Sequence, residues 1–105
     1  MSIRNAEGSA FLIALGKRRV DREDDYAAYI AGATPILVEH GADLVGRYSV
    51  GDLLHGDADY QTVFVAKFPS VQAIKAVFSD QAYQPLLPFR ERAFSELQLL
   101  IARED

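Results

Sequence analysis

Residues 62–68 read Thr-Val-Phe-Val-Ala-Lys-Phe and residues 10–16 read Ala-Phe-Leu-Ile-Ala-Leu-Gly. Val63, Phe64, Val65 and Phe68 are β-branched or aromatic, which makes the first stretch a strand that Pro69 stops. In the second, Phe11, Leu12, Ile13 and Leu15 form a continuous apolar run rather than an alternation, the pattern of a strand covered on both faces. Between them, Tyr26, Tyr29, Ile30, Ala33, Ile36 and Leu37 recur at helical spacing. That helix starts at Asp21 or Asp25, carries acidic residues in its first turn and ends at His40-Gly41. Pro35 removes one backbone hydrogen bond inside it, which predicts a kink or break near Ala31–Thr34 and two helical pieces on one axis.

The remaining segments complete the order. Leu44–Leu54 reads as a strand with Gly46 and Gly51 as bulge sites, and His55–Asp59 as a turn. Ser70 is placed to N-cap a second helix whose Val71, Ile74, Val77 and Phe78 share a stripe. A short helical segment from Gln81, interrupted by Pro85 and Pro88, leads to a last strand over Phe94–Ile101. The order βαββαβ predicts an α+β, ferredoxin-like sandwich with an antiparallel four-stranded sheet and its helices on one face. It is expected as a single domain over residues 1–105, with 1–9 a flexible N-terminus. The first and third strands are apolar on both sides, so the sheet face without helices needs cover, and a second copy of the chain supplies it: a homodimer is expected.

Composition narrows the function. The 105 residues hold 11 Lys plus Arg against 15 Asp plus Glu, a net charge of −4 with no basic run, which argues against nucleic acid or an anionic membrane as partner. No cysteine is present, which excludes disulfides, thiolate nucleophiles and sulfur-ligated metals. The N-terminal residues carry no apolar stretch of signal-peptide length, and the longest apolar run is far short of a membrane span, so a cytoplasmic protein is expected.

Candidate site residues follow from strand alternation. If Phe64 and Phe68 face the helices, Val63, Val65 and Lys67 face the partner copy, and Arg47 with Gln98 or Glu96 would share that face unless a bulge at Gly46 or Gly51 reverses it. Arg47 and Lys67 could then hold the carboxylate of a small organic acid, or pair with acids across the interface. Tyr26, Tyr29, Tyr83 and Arg90 form a second set, able either to hold an apolar acid near the helix-to-sheet junction or to pack the edge of the core. His40 is placed for the helix dipole or for a general base at a pocket mouth, and His55 for a solvated turn. With two histidines and no calcium-loop pattern in Asp21–Asp25, no metal site is expected. No Gly-x-Ser-x-Gly elbow or glycine-rich phosphate loop occurs, so neither a serine hydrolase nor a bound cofactor is expected.

The string Tyr26, Tyr29, Pro35, His40-Gly41, Phe68-Pro69-Ser70, Ser79-Asp80-Gln81-Ala82-Tyr83-Gln84-Pro85-Leu86 and Arg90 resembles the small bacterial family catalogued as domain of unknown function 1330, over Ala10–Ala102. The resemblance implies a dimeric α/β barrel built from two ferredoxin-like sheets, with no reaction assigned. Related barrels include small monooxygenases, haem-degrading enzymes and ligand-binding stress proteins, an analogy of fold alone. Lys67 stands where relatives place a glutamate before Phe-Pro-Ser, and Ala42 where they place a second glycine. The function expected is small-molecule binding in or beside the barrel. The alternatives are a cofactor-free oxygenase- or isomerase-type enzyme and a dimerisation module without a ligand.

Overall fold

A computed structural model describes residues 8–104, and residues 1–7 of the expected flexible N-terminus lie outside the described residues. The chain runs β1 (Ala10–Arg18), α1 (Glu23–Glu39), β2 (Asp43–Ser49), β3 (Thr62–Phe68), α2 (Val71–Ser79), a 3₁₀ turn (Gln84–Leu86), α3 (Leu87–Ala93) and β4 (Phe94–Arg103). The strands form one antiparallel sheet in the order β2-β3-β1-β4. This is the ferredoxin-like arrangement, with α3 added before the last strand.

Register explains the two faces. Ala10 pairs with Phe68, Leu12 with Ala66 and Ala14 with Phe64, and on the other side Leu12 pairs with Ile101 and Ala14 with Leu99. Side chains at paired positions share a face. One face therefore carries Ala10, Leu12, Ala66 and Phe68, which are buried with Tyr29, Ala33, Ile36 and Leu37 of α1 and Ile74 and Val77 of α2. The opposite face carries Phe11, Ile13, Leu15, Val63, Val65 and Leu100, with no helix over them.

Several expectations need correcting. α1 is one helix of 17 residues with Pro35 inside it, not two pieces. The missing proline N–H leaves the carbonyl of Ala31 unpaired, but Ala31 is exposed, so water can satisfy it, and Thr34 Oγ1 donates to the neighbouring Ile30 carbonyl at 2.8 Å. Pro85 and Pro88 do not interrupt a helix; each sits in the first positions of a new one, where its absent N–H has no intrahelical role. β2 ends at Ser49 instead of Leu54, although Val50 N–H still donates to the Gln61 carbonyl at 2.8 Å before the chain leaves the sheet. Ser70 caps α2 as expected, its Oγ accepting from Ala73 N–H at 3.1 Å. Gly41 takes φ +95° after α1, and a Cβ there would stand 3.0 Å from Pro69 Cδ, so any side chain would be strained and crowded.

Candidate functional site

A cleft of about 60 Å³ opens between α1 and the helix-covered face of the sheet. Its floor is Leu12, Ala14 and Gly16 of β1, its roof Tyr26, Tyr29, Ala33 and Thr34 of α1, and its sides Phe64, Phe78, Phe94 and Leu99. Nearly all of this wall is apolar. Gly16 keeps the floor low, since a Cβ there would meet the Phe94 ring at 2.9 Å.

Polar groups reach the cleft at two places. Tyr29 and Tyr83 both line it, their hydroxyl oxygens lie 2.7 Å apart, and Arg90 Nη1 donates to the Tyr83 hydroxyl at 2.9 Å. Tyr83 is 2% exposed and Tyr29 8%. Their rings meet edge to face at 6.2 Å, and Tyr83 packs the same way on Phe78 at 5.0 Å. At the rim stands Arg47, exposed, with its guanidinium carbon 5.0 Å from the Phe64 ring centroid. No carboxylate pairs with Arg47 among the described residues.

Burial pushes the Tyr29 phenol well above the ordinary tyrosine value of 10.0, and the adjacent Tyr83 hydroxyl pushes it further, with Arg90 acting in the opposite direction. Tyr29 is therefore a hydrogen-bond donor at neutral pH and not a base. Below about pH 10 both states keep the proton; above it the unfolded phenol ionises while the folded one does not, so the folded state loses stability. The wild type is expected to lose about 1.4 kcal/mol per pH unit above roughly pH 10 from this one group, and Tyr29→Phe to remove that component. Urea melts at pH 9, 10 and 11 read this directly, and parallel slopes for the two proteins would refute it.

The sequence-derived candidates divide three ways. Tyr26, Tyr29, Tyr83 and Arg47 line one cleft, and Arg90 supports it through Tyr83. Tyr26 also meets Phe94 edge to face at 5.7 Å and lies under the Arg18 guanidinium at 3.6 Å. Arg47 is corrected from the open face: the register shift between Leu44 and Gly46 inserts Val45 as an extra residue, and Arg47 then pairs with Phe64 on the helix side. Lys67 lies on the opposite, open face, away from the cleft. His40 does not line the cleft; its Nε2 lies 2.9 Å from Asp80 Oδ2 and ties the end of α1 to the turn after α2. This bond, together with the Ala82 N–H donating to Asp80 Oδ1 at 2.9 Å, holds the Asp80 carboxyl below its ordinary range.

With Glu39, His40 and Asp80 bring three ligand atoms within 4.8 Å of one another, a spacing that could admit a divalent cation. The sequence reading missed this trio because Asp80 stands 40 residues from His40. It also missed Phe64, Phe78, Phe94 and Leu99 as cleft walls, since an apolar residue gives the same signal in a wall as in a core. His55 lies exposed between β2 and β3. No helix among the described residues is long and apolar enough to cross a membrane.

The family model described as "Domain of unknown function (DUF1330)" matches residues 9–104, so the chain belongs to that family. No curated protein matches the sequence. Among solved structures, a protein of unknown function from Rhodopseudomonas palustris is similar at 23% identity and a TM-score of 0.83, over 97% of this chain and 86% of that one. A dabb family protein with a ferredoxin-like fold from Mesorhizobium loti is similar at 11% identity and a TM-score of 0.67, over 93% and 98% of the two chains. A Bordetella bronchiseptica protein named after antibiotic biosynthesis monooxygenases is similar at 19% identity and a TM-score of 0.66, over 93% and 98%. At these identities the likeness is one of fold.

Proposed function

We propose that this member of the domain of unknown function 1330 family is a cytoplasmic homodimer that binds a small organic molecule in the cleft between α1 and the sheet. The observation that carries the reading is a buried tyrosine pair, Tyr29 and Tyr83, at the wall of an otherwise apolar cleft. A packed core gains nothing from two phenols there, because apolar residues of similar volume would fill the space without polar groups to satisfy. Ligand pockets have this composition: mostly apolar walls with a few placed polar groups. The volume is far below the roughly 300–1,000 Å³ of sites for drug-sized ligands, so the occupant is small or α1 moves to admit it.

A second copy of the chain as partner is supported by the open face of the sheet. Its centre is Ile13, Leu15, Val63, Val65 and Leu100, and its ends carry opposite charges in register, Asp43 across from Lys67 and Lys17 across from Glu96. An apolar centre with a charge-balanced rim can meet its own copy without like-charge repulsion.

A second reading, a cofactor-free oxygenase- or isomerase-type enzyme, has one observation in its favour. Tyr29 stays protonated in an apolar cleft, where a phenolic donor could stabilise an oxyanion developing on a substrate that carries its own reactivity. The name of the Bordetella neighbour agrees with that chemistry.

Native mass spectrometry of the purified protein tests the main reading. The expected species is a dimer, twice the 11.6 kDa chain, carrying one small non-covalent adduct per chain that Ala33→Phe, which fills the cleft roof, displaces. An adduct that survives this substitution would place the ligand elsewhere. Conversion of the released molecule on incubation in air would favour the enzyme.

A further inference from the structure

We infer that the ligand is a small aromatic acid with a carboxylate at one end and a neutral hydrogen-bond acceptor at the other, held by Arg47 at the cleft mouth and by the tyrosine pair within; this rests on the ligand-binding reading above. Tyr83 Oη accepts from Arg90, and one phenolic hydrogen spans the 2.7 Å between Tyr83 and Tyr29. Two hydroxyls have two hydrogens, so a second one remains, and no group among the described residues accepts it. Both tyrosines are more than nine-tenths buried and both line the cleft. An unpaired buried donor is costly, so the cleft favours a molecule that brings an acceptor to that point.

The acceptor must be neutral. Apolar walls desolvate whatever enters, and a carboxylate pushed against them would lose its hydration for a phenolic donor alone, because Arg90 does not line the cleft and its guanidinium already donates to the Tyr83 hydroxyl. The charged end belongs at the rim, where Arg47 is exposed, has no acidic partner and presents a guanidinium fork suited to a carboxylate. Between the two ends, Phe64, Phe78 and Phe94 supply ring surfaces for a flat body, which a cleft of about 60 Å³ admits only as α1 moves outward.

Three compounds of nearly equal shape separate the two polar contacts: 4-formylbenzoate has both ends, 4-methylbenzoate lacks the inner acceptor, and 4-methylbenzaldehyde lacks the carboxylate. Each is titrated into the full chain and followed by amide and aromatic NMR shifts of cleft residues. The expected result is that 4-formylbenzoate binds about tenfold more tightly than either relative, a difference of about 1.4 kcal/mol. Arg47→Gln should erase its advantage over the aldehyde, and the double variant Tyr29→Phe with Tyr83→Phe, which removes both phenolic hydrogens, its advantage over 4-methylbenzoate. Equal affinity for all three would overturn this inference and leave the ligand-binding reading standing. Absence of shifts from all three at millimolar concentration would overturn it as well. The retained adduct in native mass spectra would then decide the broader reading separately.

Discussion

A Val65→Asp protein is expected to be a folded monomer, and the wild type the proposed dimer. Val65 lies in β3 between Ile13 of β1 and Gly46 of β2, at the middle of the face that no helix covers. In a sheet-to-sheet assembly a carboxylate there would be taken out of water on each copy. Lys67 is two residues along β3 and is already matched in register with Asp43, so it cannot serve both. The penalty of several kcal/mol for a buried uncompensated charge is comparable to the whole free energy of a micromolar interface, about 8 kcal/mol. Within one chain the same aspartate is only partly covered, and its cost is confined to lost strand propensity, at most about 1 kcal/mol. Light scattering at micromolar concentration should therefore give the single-chain mass with unchanged circular dichroism. Leu100→Lys on β4, at a position 42% exposed in the single chain, should act in the same way and guards against a folding defect particular to Val65. A wild type of single-chain mass would sink the homodimer, and both variants retaining the dimer would sink the assignment of its interface to this face.

How far this face was legible in the sequence depends on strand regularity. β1, β3 and β4 pair without interruption over their central residues, so alternation placed Val63, Val65 and Lys67 on the face without helices. β2 has one extra residue between Leu44 and Gly46, and every side chain after it changes side. Gly46 signalled that a bulge was available, but no local pattern says whether a glycine in a strand is used that way. The result moved Arg47 from the open face to the cleft and with it the charged end of the candidate site. A similar limit applies to Pro35, where the cost of the lost hydrogen bond depended on whether Ala31 faced solvent. The grouping of Tyr29, Tyr83 and Arg90 was visible as a set of residue types. Their contacts were not, because Tyr29 and Tyr83 are 54 residues apart and meet only once α1 and the segment after α2 lie side by side.

That junction makes Tyr83 the side chain whose loss should weaken the fold most while also emptying the cleft wall. Tyr83→Ala removes a ring that is 2% exposed and packed edge to face on both Tyr29 and Phe78, leaving a void that rigid neighbours on α1, α2 and the sheet cannot fully close. Large-to-small aromatic truncations in such positions cost about 3–5 kcal/mol, a large share of the roughly 5–15 kcal/mol that holds a domain folded. Tyr83→Phe keeps the ring and removes only the hydroxyl. Arg90 is half-buried and can turn to water, but Tyr29 would be left with its buried phenol unpaired, for a cost of about 1–3 kcal/mol. Because that cost arises from the stranded partner, Tyr29→Phe made in the Tyr83→Phe protein should recover part of it, so the double variant is more stable than the sum of the single losses predicts. Urea denaturation of the four proteins, with m-values checked for constancy, measures the coupling. Additive losses would mean that the two hydroxyls do not depend on each other. The hydrogen bond between them on which the proton count rests would then be absent, and the case for a ligand group at that point would fall with it.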